Sequence, residues 1–372
     1  MPRAHLARPS DHDPCAVVSA PPHFRPRVTI VAMTVGFGSA PYVQMLPEAL
    51  SGFAEVSLLV PSHFNDPVLG TEVIKFHTGI SPKRALVQSL KPRSHLDLLR
   101  KLRATRPDVI HILNGYGYPW ALAIAAFAGA PIITTLHDPS PHPGNKVDAV
   151  AFHTGRFTLA RSAGIHIHDE MFRSDLQRRF PGKPIFVVRH PSFASRYLKH
   201  AKPGVPRTRS VLFFGRVEYY KGIEILLRAT QLLPPDVSLT VAGAGALSET
   251  EKQLAATLGS RLTLLNRFME DDEAAALLQR AGVLALPYLQ ATQSSLPLIS
   301  TAFGLPAVAS SVGTFITEIP PLGGLLVPPG DPAALAKALL RQLDEPLPIH
   351  NTQETFDALA PRFIDMYRKV SV

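Results

Sequence analysis

The chain has 372 residues, enough for two domains of about 150–200 residues each. Hydrophobic residues make up 46% and charged residues 18%, which excludes global disorder. The single cysteine, Cys15, excludes a disulfide framework or a CxxC metal cage and fits a reducing, cytoplasmic setting. The net charge of +9 is uneven: residues 1–190 hold 21 Lys/Arg against 13 Asp/Glu, and residues 191–372 hold 17 against 16. An anionic partner is therefore expected at the first half: a membrane surface, a phosphate or a nucleic acid.

Residues 1–26 are rich in Pro, His and Arg without apolar periodicity, and read as a disordered tail. No secretory signal is readable in MPRAHLARPSDHDP, which lacks an apolar core after its basic start. VTIVAM (28–33) then predicts a buried strand, closed by VGFGSAP and followed by a helix near Pro41–Ser51. EVSLLVP (55–61), DVIHIL (108–113), PIITTL (131–136) and PIFVVR (184–189) predict further strands with helical segments between them. Near-continuous apolar strands alternating with helices predict a parallel sheet covered on both faces. The run 115–136 is long enough to raise a membrane span, but Gly129, Ala130 and Pro131 divide it into a short helix and a strand.

The second half repeats the pattern. Strands are expected at 210–215, 238–245, 262–268, 283–288 and 306–310, and helices at Gly222–Leu233, Ser248–Leu258 and Asp271–Ala281. An amphipathic helix over about Thr352–Lys369 follows. The pattern predicts two doubly wound α/β domains in tandem, with the segment around 190–205 joining them.

The most informative stretch for chemistry is FFGRVEYYKGIEILLRA (213–229). A strand ends at Gly215, Arg216 and Lys221 stand five residues apart, and a helix opens at Gly222. Glycine at a strand's carboxyl end lets backbone approach a ligand, and a helix N-terminus favours an anion. A planar guanidinium with a mobile ammonium suits a diphosphate. Taken alone, the same residues also read as a solvated turn with two surface cations.

This stretch resembles the GR…KG signature of retaining GT-B glycosyltransferases, glycosyltransferase family 4. The resemblance extends through SLTVAGAG (238–245), RLTLLNRFMEDDEAAALLQRAGVLALPY (261–288), AFGLPAVASSVGTFITEI (302–319) and GGLLVPPGDPAALAKALLRQL (323–343). It is weaker at RPDVIHI (106–112) and TTLHDPSPH (134–142). It implies a GT-B fold of two Rossmann-like, doubly wound parallel-sheet domains facing across a cleft. The N-terminal, acceptor-side domain would span 27–195 with the returning helix 352–372, and the nucleotide-sugar domain 205–350. The implied activity is sugar transfer from a nucleotide diphosphate donor to an acceptor hydroxyl, with retained configuration and neither cofactor nor metal. Arg216 and Lys221 would hold the diphosphate, with Gly215 beneath it and Gly36 and Gly38 facing it. His137 would lie by the donor sugar, Asn266 and Phe268 would border the nucleobase, and Glu318 ends the family's glycine-turn stretch.

One feature of the family is missing. Its two glutamates in E-x7-E spacing would fall on Ile299 and near Gln290 or Ala291. The loop instead resembles a branch reading PYxxA[ST]QSG, which makes Gln290, Gln293, Ser294 and Ser295 donor-binding candidates, with Ser295 where that branch has glycine. A catalytically degenerate relative that binds nucleotide-sugar or a partner without turnover is the alternative.

Rival chemistries lack their full motifs. Neither the glycines at 243–245 nor Gly36 and Gly38 complete a dinucleotide fingerprint, and no GxxxxGK[ST] exists. His137, Asp138 and His142 could form a metal cluster, but intervening prolines forbid a helical ligand pair. Asp271, Asp272 and Glu273 read as helix-opening charges, and His166 and His168 as structural. Residues 82–106 hold eight Lys/Arg and one Asp, with leucines at helical spacing. This reads either as an amphipathic face on anionic lipid or as a solvated helix covering the sheet. Without interleaved aromatics a nucleic acid is not expected. The basic first half points to a lipid-linked or cell-surface saccharide as acceptor, with the protein peripheral at the membrane.

Overall fold

The apolar runs pair as parallel strands in a computed structural model that describes residues 25–35, 39–78, 82–137, 146–351 and 354–371. The first sheet contains β1 (Arg27–Ala32), β2 (Glu55–Pro61), β3 (Glu72–Phe76), β4 (Val109–Asn114), β5 (Ile132–Thr135), β6 (Gly164–Ile167) and β7 (Ile185–Val187), in the order β3-β2-β1-β4-β5-β6-β7. The second contains β8 (Ser210–Phe214), β9 (Ser238–Ala242), β10 (Leu262–Leu265), β11 (Val283–Leu286), β12 (Ala307–Ser310) and β13 (Leu325–Val327), in the order β10-β9-β8-β11-β12-β13. The recorded pairings are all parallel. Helices cover both faces, so consecutive residues such as Ile30, Val31 and Ala32 are all buried and the strand reads as an unbroken apolar run.

Three strands escape the sequence pattern. β3 is a half-exposed edge strand carrying Glu72 and Lys75, and β13 has only three residues. β6 carries His166 in the sheet interior, opposite Thr135 of β5. The run 115–136 resolves into the helix Pro119–Phe127 and β5, and among the described residues no helix is long and apolar enough to cross a membrane. The tail up to Phe24, Gly36 and Gly38, and Asp138 and His142 lie outside the described residues.

Strand order reverses between β1 and β4, and again between β8 and β11. Loops leaving the carboxyl ends of such neighbours diverge and open a crevice where ligands settle. At the first reversal Asn114 clamps Thr34, accepting from its amide at 3.1 Å and donating to its carbonyl at 2.8 Å. At the second, the segment Gly215–Gly222 after β8 meets Pro287–Ser295 after β11. Leu289 N donates to the Tyr220 carbonyl at 2.7 Å.

The segment joining the halves is fastened rather than loose. Arg196 Nε reaches both carboxylate oxygens of Asp271 at 2.7 and 2.8 Å, and Lys202 and Gln279 exchange two hydrogen bonds. The acidic opening of the helix Asp271–Arg280 therefore serves structure. The last helix, Phe356–Arg368, returns to the first half and packs on the helix Ala40–Leu50. It buries Phe356, Phe363 and Tyr367 there.

Candidate active site

The β8 strand ends at Phe214, and a 3-10 turn over Tyr219–Lys221 leads into the helix Ile223–Leu232. The turn pulls Lys221 inward, leaving it 9% exposed. Its Nζ lies 5.0 Å from the Tyr288 ring centroid and 5.9 Å from that of Tyr220, over the backbone of Gly215, where an added Cβ would come within 3.1 Å. Among the described residues no carboxylate pairs with it. Burial lowers its pKa and the Arg216 charge adds to this, while Tyr220 and the more distant Glu218 carboxylate oppose it. A desolvated ammonium between aromatic rings is a candidate site for an anion. Arg216 is more exposed and pairs with Glu218, a partner that a phosphate would have to displace.

Two touching loops, one of which sets Tyr288 against Lys221, carry buried and poorly satisfied polar atoms. Gln293 Oε1 is buried and forms no hydrogen bond among the described residues, and Tyr288 Oη, Thr314 Oγ1 and Glu318 Oε2 are buried with only loose contacts, Tyr288 toward Ser294 and Glu318 toward Thr314. Tyr288 packs on Phe315 with ring centroids 5.2 Å apart, and Gly313 sits so close to Ala291 that a Cβ would lie 1.6 Å from its carbonyl oxygen. Each unpaired buried polar atom costs about 1–3 kcal/mol. Poorly satisfied buried polar atoms on these two loops make them a candidate ligand site.

Burial and the nearby charge of Asp169 push the Glu318 carboxyl up to about 7. Asp169 and Arg189, which also acts on it, belong to the first half, so Glu318 looks across the cleft. A carboxyl whose folded pKa is raised contributes full stability below its ordinary value of 4.5 and loses it as pH rises through 7. Glu318→Gln is therefore expected to leave the melting temperature unchanged near pH 4.5. At pH 8 it should stabilise the fold by up to about 2–3 kcal/mol, read from thermal melts across that range.

The other candidates divide between ligand-facing and structural positions. Asn266 Oδ1 accepts from the Gly245 amide at 3.0 Å and so holds the turn after β9. Phe268 keeps 39% exposure beside it, and Arg267 forms a two-point pair with Glu273 that holds its carboxyl down at about 2. Gln290 is exposed, Ser294 Oγ accepts from the Leu296 amide at 3.3 Å, and Ser295 precedes the short helix Leu296–Ala302. Ile299, where the family's second glutamate would stand, is 2% exposed and packs into the core.

In the first half, His137 follows β5 at the crevice. Both its nitrogens meet protein groups: Nε2 the Leu113 carbonyl at 3.0 Å, and Nδ1 the His168 Nε2 at 3.0 Å. The Tyr42 ring stands edge-on to it at 5.4 Å. Sequence reasoning missed Tyr288, Thr314, Glu218 and Tyr42. Tyr288 alone carried a signal, as an aromatic directly beyond a buried strand at the order reversal. Among the described residues no group of three or more His, Cys, Asp or Glu side chains is arranged to hold a metal ion.

Two family models match adjoining parts of the chain: "Glycosyl transferase 4-like domain" over residues 37–191 and "Glycosyl transferases group 1" over residues 208–345. Curated relatives include a D-rhamnosyltransferase, WbpZ, of Pseudomonas aeruginosa, 34% identical over 154 residues and 40% of each chain. Glycogen synthase of Mycobacterium tuberculosis is 30% identical over 267 residues, 67% of this chain and 64% of that one. The chain thus spans between two fifths and just under two thirds of these relatives. Among solved structures, sucrose-phosphate synthase from Thermosynechococcus elongatus superposes with a TM-score of 0.69 at 19% identity, covering 92% of this chain and 98% of that one. Anabaena HepE in complex with UDP-glucose gives 0.65 at 17% identity, with the same coverage. With two Rossmann-like sheets in 3-2-1-4-5-6 order, the first carrying a seventh strand, and both halves matched, the chain belongs to the glycosyltransferases of GT-B fold.

Proposed function

We propose that the protein moves a sugar from a nucleotide diphosphate donor to an acceptor hydroxyl with retention of configuration. The observation that carries this reading is the buried Lys221 ammonium, without a carboxylate ion pair among the described residues, at the carboxyl end of β8. The departing diphosphate develops charge toward Lys221, Arg216 and the 293–295 loop, whose positive and amide groups stabilise it most in the transition state. No metal ion or cofactor enters this mechanism. The acceptor attacks from the face the diphosphate leaves, and its proton passes to the departing phosphate oxygen. His137 orients the donor sugar.

The donor test is calorimetric titration with UDP, GDP and ADP and then their sugar conjugates, beginning with UDP because the Anabaena HepE structure holds UDP-glucose. One nucleotide is expected to bind and to support sugar transfer. Binding without transfer to any acceptor would favour the degenerate reading, to which the core position of Ile299 lends weight. Absence of binding by all three would end the transferase reading and leave a relative that binds a partner.

The acceptor reading rests on the outer surface of 82–106. Leu98, Leu99 and Leu102 turn inward and cover the sheet, while Arg93, Leu96, Arg100 and Arg103 follow one another along the exposed side. Val87 and Leu90 extend that side with 61% and 67% exposure. Asp97, its one acid, is tied up by Arg100 and Lys101. Cations interleaved with exposed aliphatics suit an anionic bilayer carrying a lipid-linked or cell-surface saccharide, with the protein peripheral on the cytoplasmic side. Sedimentation with phosphatidylglycerol vesicles is expected, with loss in high salt and in an R93E/R100E/R103E triple variant. A triple variant that sediments like the wild type would leave a soluble acceptor.

A further inference from the structure

The turn that delivers Lys221 also sets an acid against the guanidinium beside it. Val217 is buried, donates its amide to the Ala244 carbonyl at 2.9 Å and forms a parallel bridge with Gly245. In extended backbone alternate side chains share a face. With Val217 turned into the core, Arg216 and Glu218 stand together on the other side, where they form an ion pair. Glu218 is itself extended and opens the Tyr219–Lys221 turn, its carbonyl accepting from the Lys221 amide at 2.9 Å. Positive, negative and positive side chains thus follow one another at Arg216, Glu218 and Lys221.

Both members of the pair act inside the Lys221 pocket. Arg216 and Glu218 work in opposite directions on Lys221 and on Tyr220 and Tyr288, whose rings lie beside it. Glu218 is therefore a carboxylate bound to Arg216 and within electrostatic reach of Lys221, the two cations assigned above to the diphosphate. A carboxylate and a phosphate compete for the same guanidinium fork.

The pair is built to open. The Arg216 side chain is 64% exposed and that of Glu218 35% exposed, and ion pairs of that kind are weak. Its members stand two residues apart on one extended segment, so it fastens no element to another. Arg196 with Asp271, by contrast, ties the joining segment to a helix of the second half.

We propose that Glu218 is a built-in competitor for the donor's phosphates. Its carboxylate holds Arg216 before the donor arrives, gives it up when a nucleoside diphosphate sugar enters, and takes it back as the nucleoside diphosphate leaves. It thereby limits how tightly the spent nucleotide is held. Glu218 is a positioning residue that acts through Arg216. This rests on the nucleotide-sugar reading above.

Glu218→Gln keeps the shape of the side chain and an acceptor oxygen but not the charge. Calorimetry of this variant and the wild type with UDP, GDP and ADP selects the nucleotide, and its monophosphate and nucleoside complete a series of falling charge. Competition between charges grows with the ligand's phosphates and vanishes for an uncharged nucleoside. The dissociation constant of the diphosphate is expected to fall about tenfold in Glu218→Gln and that of the monophosphate about threefold. The nucleoside should bind both proteins alike. Stopped-flow release of the diphosphate should slow by about the same tenfold. On an Arg216→Gln background the Glu218→Gln change should gain at most about twofold, because the competitor no longer has its partner. Thermal melts of Glu218→Gln should match the wild type.

A folded Glu218→Gln that binds the diphosphate no tighter than the wild type overturns the proposal and leaves the donor reading standing. So does an equal gain for the nucleoside, or an undiminished gain on the Arg216→Gln background. If neither protein binds any of the three nucleotides, the donor reading fails and takes this proposal with it.

Discussion

Replacing Lys221 by alanine is expected to lower kcat/KM for sugar transfer by about 10²–10³-fold, the scale seen when one preorganised donor to a developing charge is removed. The fold should survive and even gain stability. An ammonium that is 9% exposed and forms no ion pair with a carboxylate among the described residues carries a desolvation cost that the more distant Glu218 offsets only in part. Higher melting temperature together with lost turnover separates a binding group from a structural one. Lys221→Arg is not a rescue, because the planar fork is wider than an ammonium held 5.0 Å from the Tyr288 ring centroid and close above Gly215. Wild-type turnover in Lys221→Ala, measured with the donor that calorimetry selects, would remove the anion site from the mechanism.

Gly222→Ala is expected to be the most damaging small change in the second half. Gly222 has φ +70°, a left-handed conformation that links the Lys221 turn to the following helix, and its Cβ would lie 2.0 Å from the Pro287 carbonyl oxygen. The strained backbone and the clash act together, so a loss of about 2–4 kcal/mol is expected by chemical denaturation. Relief of the clash separates the loops after β8 and β11, so nucleotide affinity should fall in whatever remains folded. Gly182→Ala is the control. It shares a positive φ of +75° but meets nothing within 4 Å, and should cost only about 1 kcal/mol.

What the sequence revealed follows from how each residue is constrained. Strands buried on both faces, such as β1 and β11, announce themselves as apolar runs, and Arg216 and Lys221 stand at a spacing that suits an anion as well as a solvated turn. β3 was hidden because its charged edge resembles a loop, and β6 because His166 puts a polar ring inside a sheet. The site was legible only where a short segment builds it. The poorly satisfied atoms of Tyr288, Gln293, Thr314 and Glu318 and the engagement of both His137 nitrogens depend on contacts between loops. No local pattern records such contacts.

The hydrogen bond from Tyr367 to His111 joins residues 256 positions apart, and Phe363 of the same helix is fully buried. A chain emerging N-terminus first from the ribosome therefore cannot finish its first sheet when that sheet's strands are complete. The interior around His111 and Tyr42 stays open until the final helix has been synthesised, while the second half can already close. Stop codons or bulky fusions near the C-terminus should thus injure the N-terminal half of the molecule. Nascent chains halted before Phe356 should need chaperone cover on the first half.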